Sequence, residues 1–180
     1  IAIAESTLSN NSDCFIGSHP LTGKETSKII SYEENLFDKA VVLMTPTRKK
    51  NKALINKVSK FWKSLKCQVK SISPQLHDLV LSETSHLPHL VSFALVNIIL
   101  NTKSIKNIKD YTGGGFRDFA RLAHSDGRMW NDICRTNEKN IISSINLLIK
   151  ELGSIKKIIK NNDNSLHQYL NGIKTKLDKK

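Results

Sequence analysis

The 180-residue sequence predicts a partial α/β domain over residues 1–72, followed by an all-helical domain over residues 73–180. Three observations carry that reading. Short apolar runs alternate with one helix-spaced segment in the first part. The character changes at Ser73-Pro74, a serine before proline that starts a helix. Beyond it, apolar residues recur at helical spacing almost to the C-terminus, with no internal repeat.

Element by element, Ala2 to Leu8 reads as a helix remnant, and Cys14-Phe15-Ile16 as a short buried strand ending at Gly17. Val41 to Met44 is a second apolar strand, stopped by Thr45-Pro46-Thr47. Asn51 to Leu65 places apolar residues at 54, 55, 58, 61, 62 and 65, which is helical spacing, and Cys67 to Ile72 then alternates like a strand. From Gln75 almost to Leu100 the pattern is helical, with Pro88 as a kink. Asn101 to Asp110 is a polar connector and Gly113 to Gly115 a flexible hinge. Helices follow over Phe116–His124, Gly127–Arg135 and Glu138–Ile159, the last with a wide apolar stripe that wants a partner surface. The lysine-rich tail from Asn161 reads as a loose final helix.

Composition narrows the function classes. The net charge of +12 raises nucleic acid as a partner, but the lysines are spread along the chain. No helix-turn-helix, zinc finger or aromatic-interleaved strand accompanies them, so nucleic acid is not expected. The longest apolar run, Leu87 to Leu100, is interrupted by Pro88, His89, Ser92 and Asn97 and reads as too short and too polar for a bilayer. Three cysteines, at 14, 67 and 134, lack metal-ligand spacing and read as reduced thiols of a cytoplasmic protein. The chain opens on Ile1 with no helix-start residue, as a fragment beginning inside an element would.

Three distant blocks gather more His, Arg and Gly than packing can use. They are Gly17-Ser18-His19-Pro20-Leu21-Thr22-Gly23-Lys24-Glu25, Thr84-Ser85-His86-Leu87-Pro88-His89, and Gly113-Gly114-Gly115-Phe116-Arg117-Asp118-Phe119-Ala120-Arg121. Glycine needs a reason to be present in regular structure, and histidine and arginine are costly to bury unpartnered. One pocket assembled from all three accounts for them. His19, at a strand end, titrates near neutrality and can take a proton from a hydroxyl. His86 and His89 share a helix face. They lack the spacing and third ligand of a zinc site, so no metal is expected and polar contacts to an organic ligand are favoured over packing. Arg117 and Arg121 also share a face, with Asp118 between them, and a guanidinium fork suits a carboxylate. The triple glycine lacks the lysine and spacing of a phosphate loop and reads as backbone making room for a helix or ligand. The ligand these groups suit is a small, hydroxylated carboxylic acid.

At these residues the chain resembles the prephenate dehydrogenase family. The likeness runs through G-S-H-P-x-x-G-x-E at 17–25, T-S-H-L-P-H at 84–89, G-G-G-F-R-D-F-x-R at 113–121 and S-D-x-x-M-W at 125–130, in the family's order and spacing. It implies the C-terminal remnant of a Rossmann NAD(P)-binding domain, then a helical domain that dimerises. It also implies oxidative decarboxylation of prephenate, or of arogenate in the closest alternative. By resemblance His19 draws the proton from the ring hydroxyl as hydride leaves for nicotinamide, and Arg121 holds a substrate carboxylate. Ser85, His86 and His89 would line the substrate pocket, Glu25 and Asp118 its mouth, and Met129-Trp130 would pack beside it. His19 and Arg121 then meet at one cavity, within a protomer or across the twofold axis.

The chain also departs from the family. Only 18 residues precede His19, so the glycine-rich dinucleotide fingerprint and the D-x-x-S-x-K segment fall upstream of Ile1. The cofactor-binding residues, and the choice between NAD and NADP, go with them. Lys24 and Lys28 stand where the family usually has Thr or Ser and Gly. Alone, the polypeptide is expected to be inactive. A non-catalytic helical module for dimerisation or ligand sensing is the alternative from another class.

Overall fold

A computed structural model describes residues 1–8, 14–22, 35–47, 51–103, 106–161 and 164–179. It opens with helix α1 (Ala2–Leu8), strands β1 (Gly17–Pro20) and β2 (Val41–Thr45), helix α2 (Lys52–Ser64) and strand β3 (Gln68–Ser71). The sheet order is β1-β2-β3, with β1 antiparallel and β3 parallel to the central strand. A buried central strand can be apolar on both faces, and Val41-Val42-Leu43-Met44 is. Val42, Met44 and Cys67 form the core, against which Phe37, Ile55, Val58, Trp62 and Val69 pack. Asn51 caps α2 by accepting from the Ala53 N–H at 2.7 Å. The helix closes at Leu65, and Lys66, at φ 61°, turns the chain into β3.

The first strand differs from the sequence reading. Cys14-Phe15-Ile16 is the more apolar segment, yet the strand is Gly17-Ser18-His19-Pro20, paired with Thr45 back to Val42. Proline fits there because β1 is a sheet edge. His19 therefore stands within the edge strand rather than beyond it. Gly17 is buried opposite Thr45, and a Cβ there would overlap the side chains of Thr45 and Ile1.

The second half begins where Ser73 accepts from the Leu76 N–H at 3.1 Å and Pro74 occupies the first turn of α3 (Pro74–Leu81). A π-helical turn (Ser82–His86) joins it to α4 (Leu87–Leu100). Pro88 lacks the N–H that would reach back to Thr84, and the α-helical run is interrupted there by the wider turn. The whole run Pro74–Leu100 is 27 residues and holds an 18-residue window of mean hydropathy 1.2, so by length and composition alone it could cross a membrane. That is longer than the segment the sequence reading weighed, but it carries His77, Asp78, Glu83, His86 and His89 and packs on α5 and α7.

A 3₁₀ turn (Ile108–Tyr111) interrupts the polar connector. Helices α5 (Gly114–Ala123), α6 (Gly127–Thr136), α7 (Glu138–Asn161) and α8 (Ser165–Asp178) complete the domain. The Gly113–Gly115 hinge proves to be the start of α5, and a Cβ on Gly113 or Gly115 meets nothing. Within one chain these glycines make room for no neighbour. The tail forms α8, from which Tyr169 donates to Glu151 on α7.

Hydroxyls hold the helices together. Ser82, in the π turn, shares a 3.1 Å hydrogen bond with Ser144 of α7, and Ser92 of α4 donates to the Phe119 carbonyl of α5. Ser82, Ser92 and Ser144 are all buried, so these bonds replace solvation that burial removes.

Candidate active site

A cleft of about 1040 Å³ lies at the junction of the two halves. Ile1, Ile3, Phe15 and Leu81 supply apolar wall, while His19, His77, Asp78, His86 and Asn137 supply the polar groups. Edge strand β1 brings His19, the first turns of α3 bring His77 and Asp78, and the π turn brings His86.

The hydrogen bonds fix the direction of each ring. His77 Nδ1 lies 2.9 Å from Asp78 Oδ1, and His77 Nε2 lies 2.9 Å from His19 Nδ1. Asn137, at the α6–α7 joint, donates through Nδ2 to the Asp78 carbonyl at 2.7 Å and to His86 Nδ1 at 3.3 Å. Its Oδ1 is taken by the Asn140 side-chain amide at 2.7 Å, which sets the orientation of the Asn137 amide. His86 Nδ1 thus accepts, leaving its proton on Nε2. Burial, then the neighbouring His77, lowers the His19 pKa below its ordinary 6.5. The His86 pKa is lowered by the same two causes in the same order, with Asp78 opposing. Both rings are therefore neutral near pH 7, the form that can accept a proton.

His86 and His89 share a face as expected, and Trp130 occupies it. His89 stacks on the indole with centroids 4.2 Å apart, and His86 meets it edge-on at 6.0 Å. His89 Nδ1 donates to the Ser85 carbonyl at 2.9 Å. Asp126 has a structural task in the S-D-x-x-M-W segment. It caps α6 by accepting from the N–H groups of Arg128 and Met129, both at 2.9 Å, which sets Trp130 one turn in. Trp130 is buried with its indole N–H unpartnered, whereas Met129 is half exposed.

The sequence-derived set is therefore split. His19 and His86 face one cleft, whereas Ser85 and His89 do not line it: they bond to each other, and His89 stacks on Trp130. Arg117, Asp118 and Arg121 lie on α5, exposed, and none of them lines the cleft of the same chain. Glu25, with Gly23, Lys24 and Lys28, lies outside the described residues. Sequence reading missed His77, Asp78 and Asn137. The only signal was an adjacent His-Asp pair one turn after Ser73-Pro74, and its partner is 58 residues away.

The cofactor side is thinner. Among the described residues no glycine-rich turn links a strand to a helix, so these residues do not build a cradle for a dinucleotide pyrophosphate.

A parallel β-α-β unit joined to a helical half, with neutral imidazoles at the seam, defines a class by architecture: a small α/β sheet followed by a helical domain, with a polar cleft where they meet. The family comparisons name it. Residues 2–71 match the family described as prephenate dehydrogenase, nucleotide-binding domain, and residues 73–172 match prephenate dehydrogenase, dimerization domain. The chain belongs to the prephenate dehydrogenase family. It is 31% identical over 150 residues to the prephenate dehydrogenase of Bacillus subtilis, covering 83% of this chain and 40% of that one. Among solved structures, prephenate dehydrogenase from A. aeolicus, in complex with hydroxyphenyl propionate and NAD+, matches with a TM-score of 0.84 and 38% identity, over 92% of this chain and 58% of that one. Synechocystis arogenate dehydrogenase matches with a TM-score of 0.79 and 25% identity, over 97% and 66%. The chain thus spans roughly half the length of the relatives it matches.

Proposed function

We propose that this chain is the substrate-binding and proton-accepting portion of a homodimeric dehydrogenase. Its reaction would be the NAD(P)-dependent oxidative decarboxylation of prephenate to 4-hydroxyphenylpyruvate. The observation that carries the proposal is the cleft at the domain junction, where His19 is neutral and faces His77 and His86. His19 would accept the ring-hydroxyl proton through Nε2, since its Nδ1 is engaged by His77. His86, His89 and Ser85 would bound the ring site, and Arg121 would hold a carboxylate through its fork, with Arg117 and Asp118 on the same helix, while Glu25, at the pocket mouth by resemblance, lies outside the described residues. The described residues supply no pyrophosphate cradle, so the roles proposed for them are on the substrate side. NAD is favoured over NADP only by the NAD+ held in the A. aeolicus relative.

Because α5 does not line its own chain's cleft, Arg121 is assigned to the cleft of a second copy. The apolar side chains left exposed on α7 and α8, among them Leu147, Ile149, Leu152, Ile159 and Leu177, support such a pairing. Arogenate is the second substrate reading, favoured by the Synechocystis relative.

The test uses an enzyme carrying this chain behind a complete dinucleotide-binding half, assayed for reduced nicotinamide with prephenate and with arogenate. Turnover that His19→Ala abolishes is expected. Turnover untouched by His19→Ala would favour the non-catalytic helical module and overturn the assignment.

A further inference from the structure

We infer that His77 and Asp78 form a relay that sets the tautomer of His19, making His77 a positioning residue for the proton-accepting nitrogen. The inference rests on the proposed role of His19 and adds two residues that no motif pointed to.

Bond polarity alone gives the direction of the relay. An ionised carboxylate only accepts, so the 2.9 Å contact from Asp78 Oδ1 places a proton on His77 Nδ1. A neutral His77 then presents a lone pair at Nε2. The 2.9 Å contact from that atom to His19 Nδ1 requires the proton to sit on His19 Nδ1. His19 is left with its lone pair on Nε2. Both rings, the carboxylate and His86 line the same cleft, so the chain of bonds ends at the site and not in a loop.

When the substrate hydroxyl gives its proton to His19 Nε2, the O–H bond breaks and an N–H bond forms. His19 becomes a cation while keeping its Nδ1–H bond to His77. That bond becomes charge-assisted, and the Asp78 carboxylate behind His77 is the nearest opposite charge. Reversing either hydrogen bond would put the His19 proton on Nε2 and remove the base. The groups facing His77 are His19 from β1, Asp78 on its own helix and His86 from the π turn.

Long-range ¹H–¹⁵N spectra of the 180-residue chain read these tautomers without substrate. His77 and His19 are both expected as Nδ1–H forms near pH 7.5. Asp78→Asn, whose amide can donate to His77 Nδ1, is expected to flip both rings to Nε2–H. A wild-type His19 protonated on Nε2, or one that Asp78→Asn leaves unchanged, overturns the relay. A second pair of variants covers poor folding of the first. In the dinucleotide-supplied enzyme, His77→Leu is expected to lower kcat roughly 100-fold, toward the low end of a general base's contribution, with KM within about twofold. His77→Gln, whose Oε1 can accept from His19, should recover most of that loss, and equal losses in both variants count against the relay. Correct tautomers without prephenate turnover would break the functional reading and leave the relay standing. Turnover with Nε2–H His19 would do the reverse.

Discussion

The two ends of the proposed site are built by opposite strategies. The histidine end is assembled inside one chain: β1, α3, the π turn and the α6–α7 joint each deliver a side chain, and hydrogen bonds of 2.7–3.3 Å tie them together. The arginine end is a single exposed helix face, with Arg117 and Arg121 one turn apart and no place in that cleft. Proton transfer tolerates little misplacement, so its groups benefit from mutual bonding in cis. A carboxylate clamp is longer-ranged and can be brought by a second copy. The halves differ in the same sense, since the sheet has its own cover in α2, whereas α7 and α8 leave large aliphatic side chains in solvent.

Removing each end in turn should give different kinetics. The largest effect is expected for His19→Ala, a fall in kcat of roughly 10²–10⁴, read by nicotinamide absorbance in the dinucleotide-supplied enzyme. Arg121→Ala should act mainly on KM, raising it about 10–100-fold, the worth of charge-assisted bonds to a carboxylate. Mixing the two variants sharpens the contrast. If Arg121 serves its partner's cleft, mixed dimers carry one intact site and activity returns. No recovery after exchange of subunits would place both groups in one protomer.

Gly17→Ala probes the histidine end through its backbone. The new methyl would collide with Ile1 and Thr45, so a loss of about 1–3 kcal/mol in denaturant unfolding is expected, with β1 and His19 displaced. Acidification should weaken the same end. The pKa values of His19 and His86 lie below 6.5 in the folded chain, so between 6.5 and those lower values the unfolded chain binds more protons. The contribution of these rings is present above pH 6.5 and lost as pH falls through the folded values; a thermal midpoint that rose on acidification over that window would contradict it. The smallest effect is far from both ends. Lys66, at φ 61°, closes α2 in a conformation glycine adopts freely, and Lys66→Gly should be neutral to stabilising by about 1 kcal/mol in urea melts.

Local signals were legible in the sequence wherever they decide structure locally. Apolar spacing at 54, 55, 58, 61 and 62 placed α2 within a residue or two, and Ser73-Pro74 marked the start of α3. The edge strand was misplaced because Phe15 and Ile16 look more strand-like than Gly17-Ser18-His19-Pro20. Pairing with Thr45 through Val42, a non-local event, chose the latter. The glycines before α5 misled for a related reason, since the sequence shows that they are small but not what approaches them. Within the candidate site, His19 and His86 stood out by motif. His77 did not, because its meaning comes from a contact across 58 residues, and Asn137 looked like any helix-joint asparagine.

The π turn at Ser82–His86 carries a consequence for changes in chain length. Its one surplus residue is taken up by the wider turn, so the helix bearing His77 and the helix bearing His89 stay nearly in phase. Deleting one residue there would let the segment run as ordinary α-helix with the phase beyond it nearly unchanged, whereas a deletion within α4 itself would swing everything beyond it by about 100°. Within this long helical run, the π turn is therefore the place where the chain can lose one residue without turning His89 to another side of the helix.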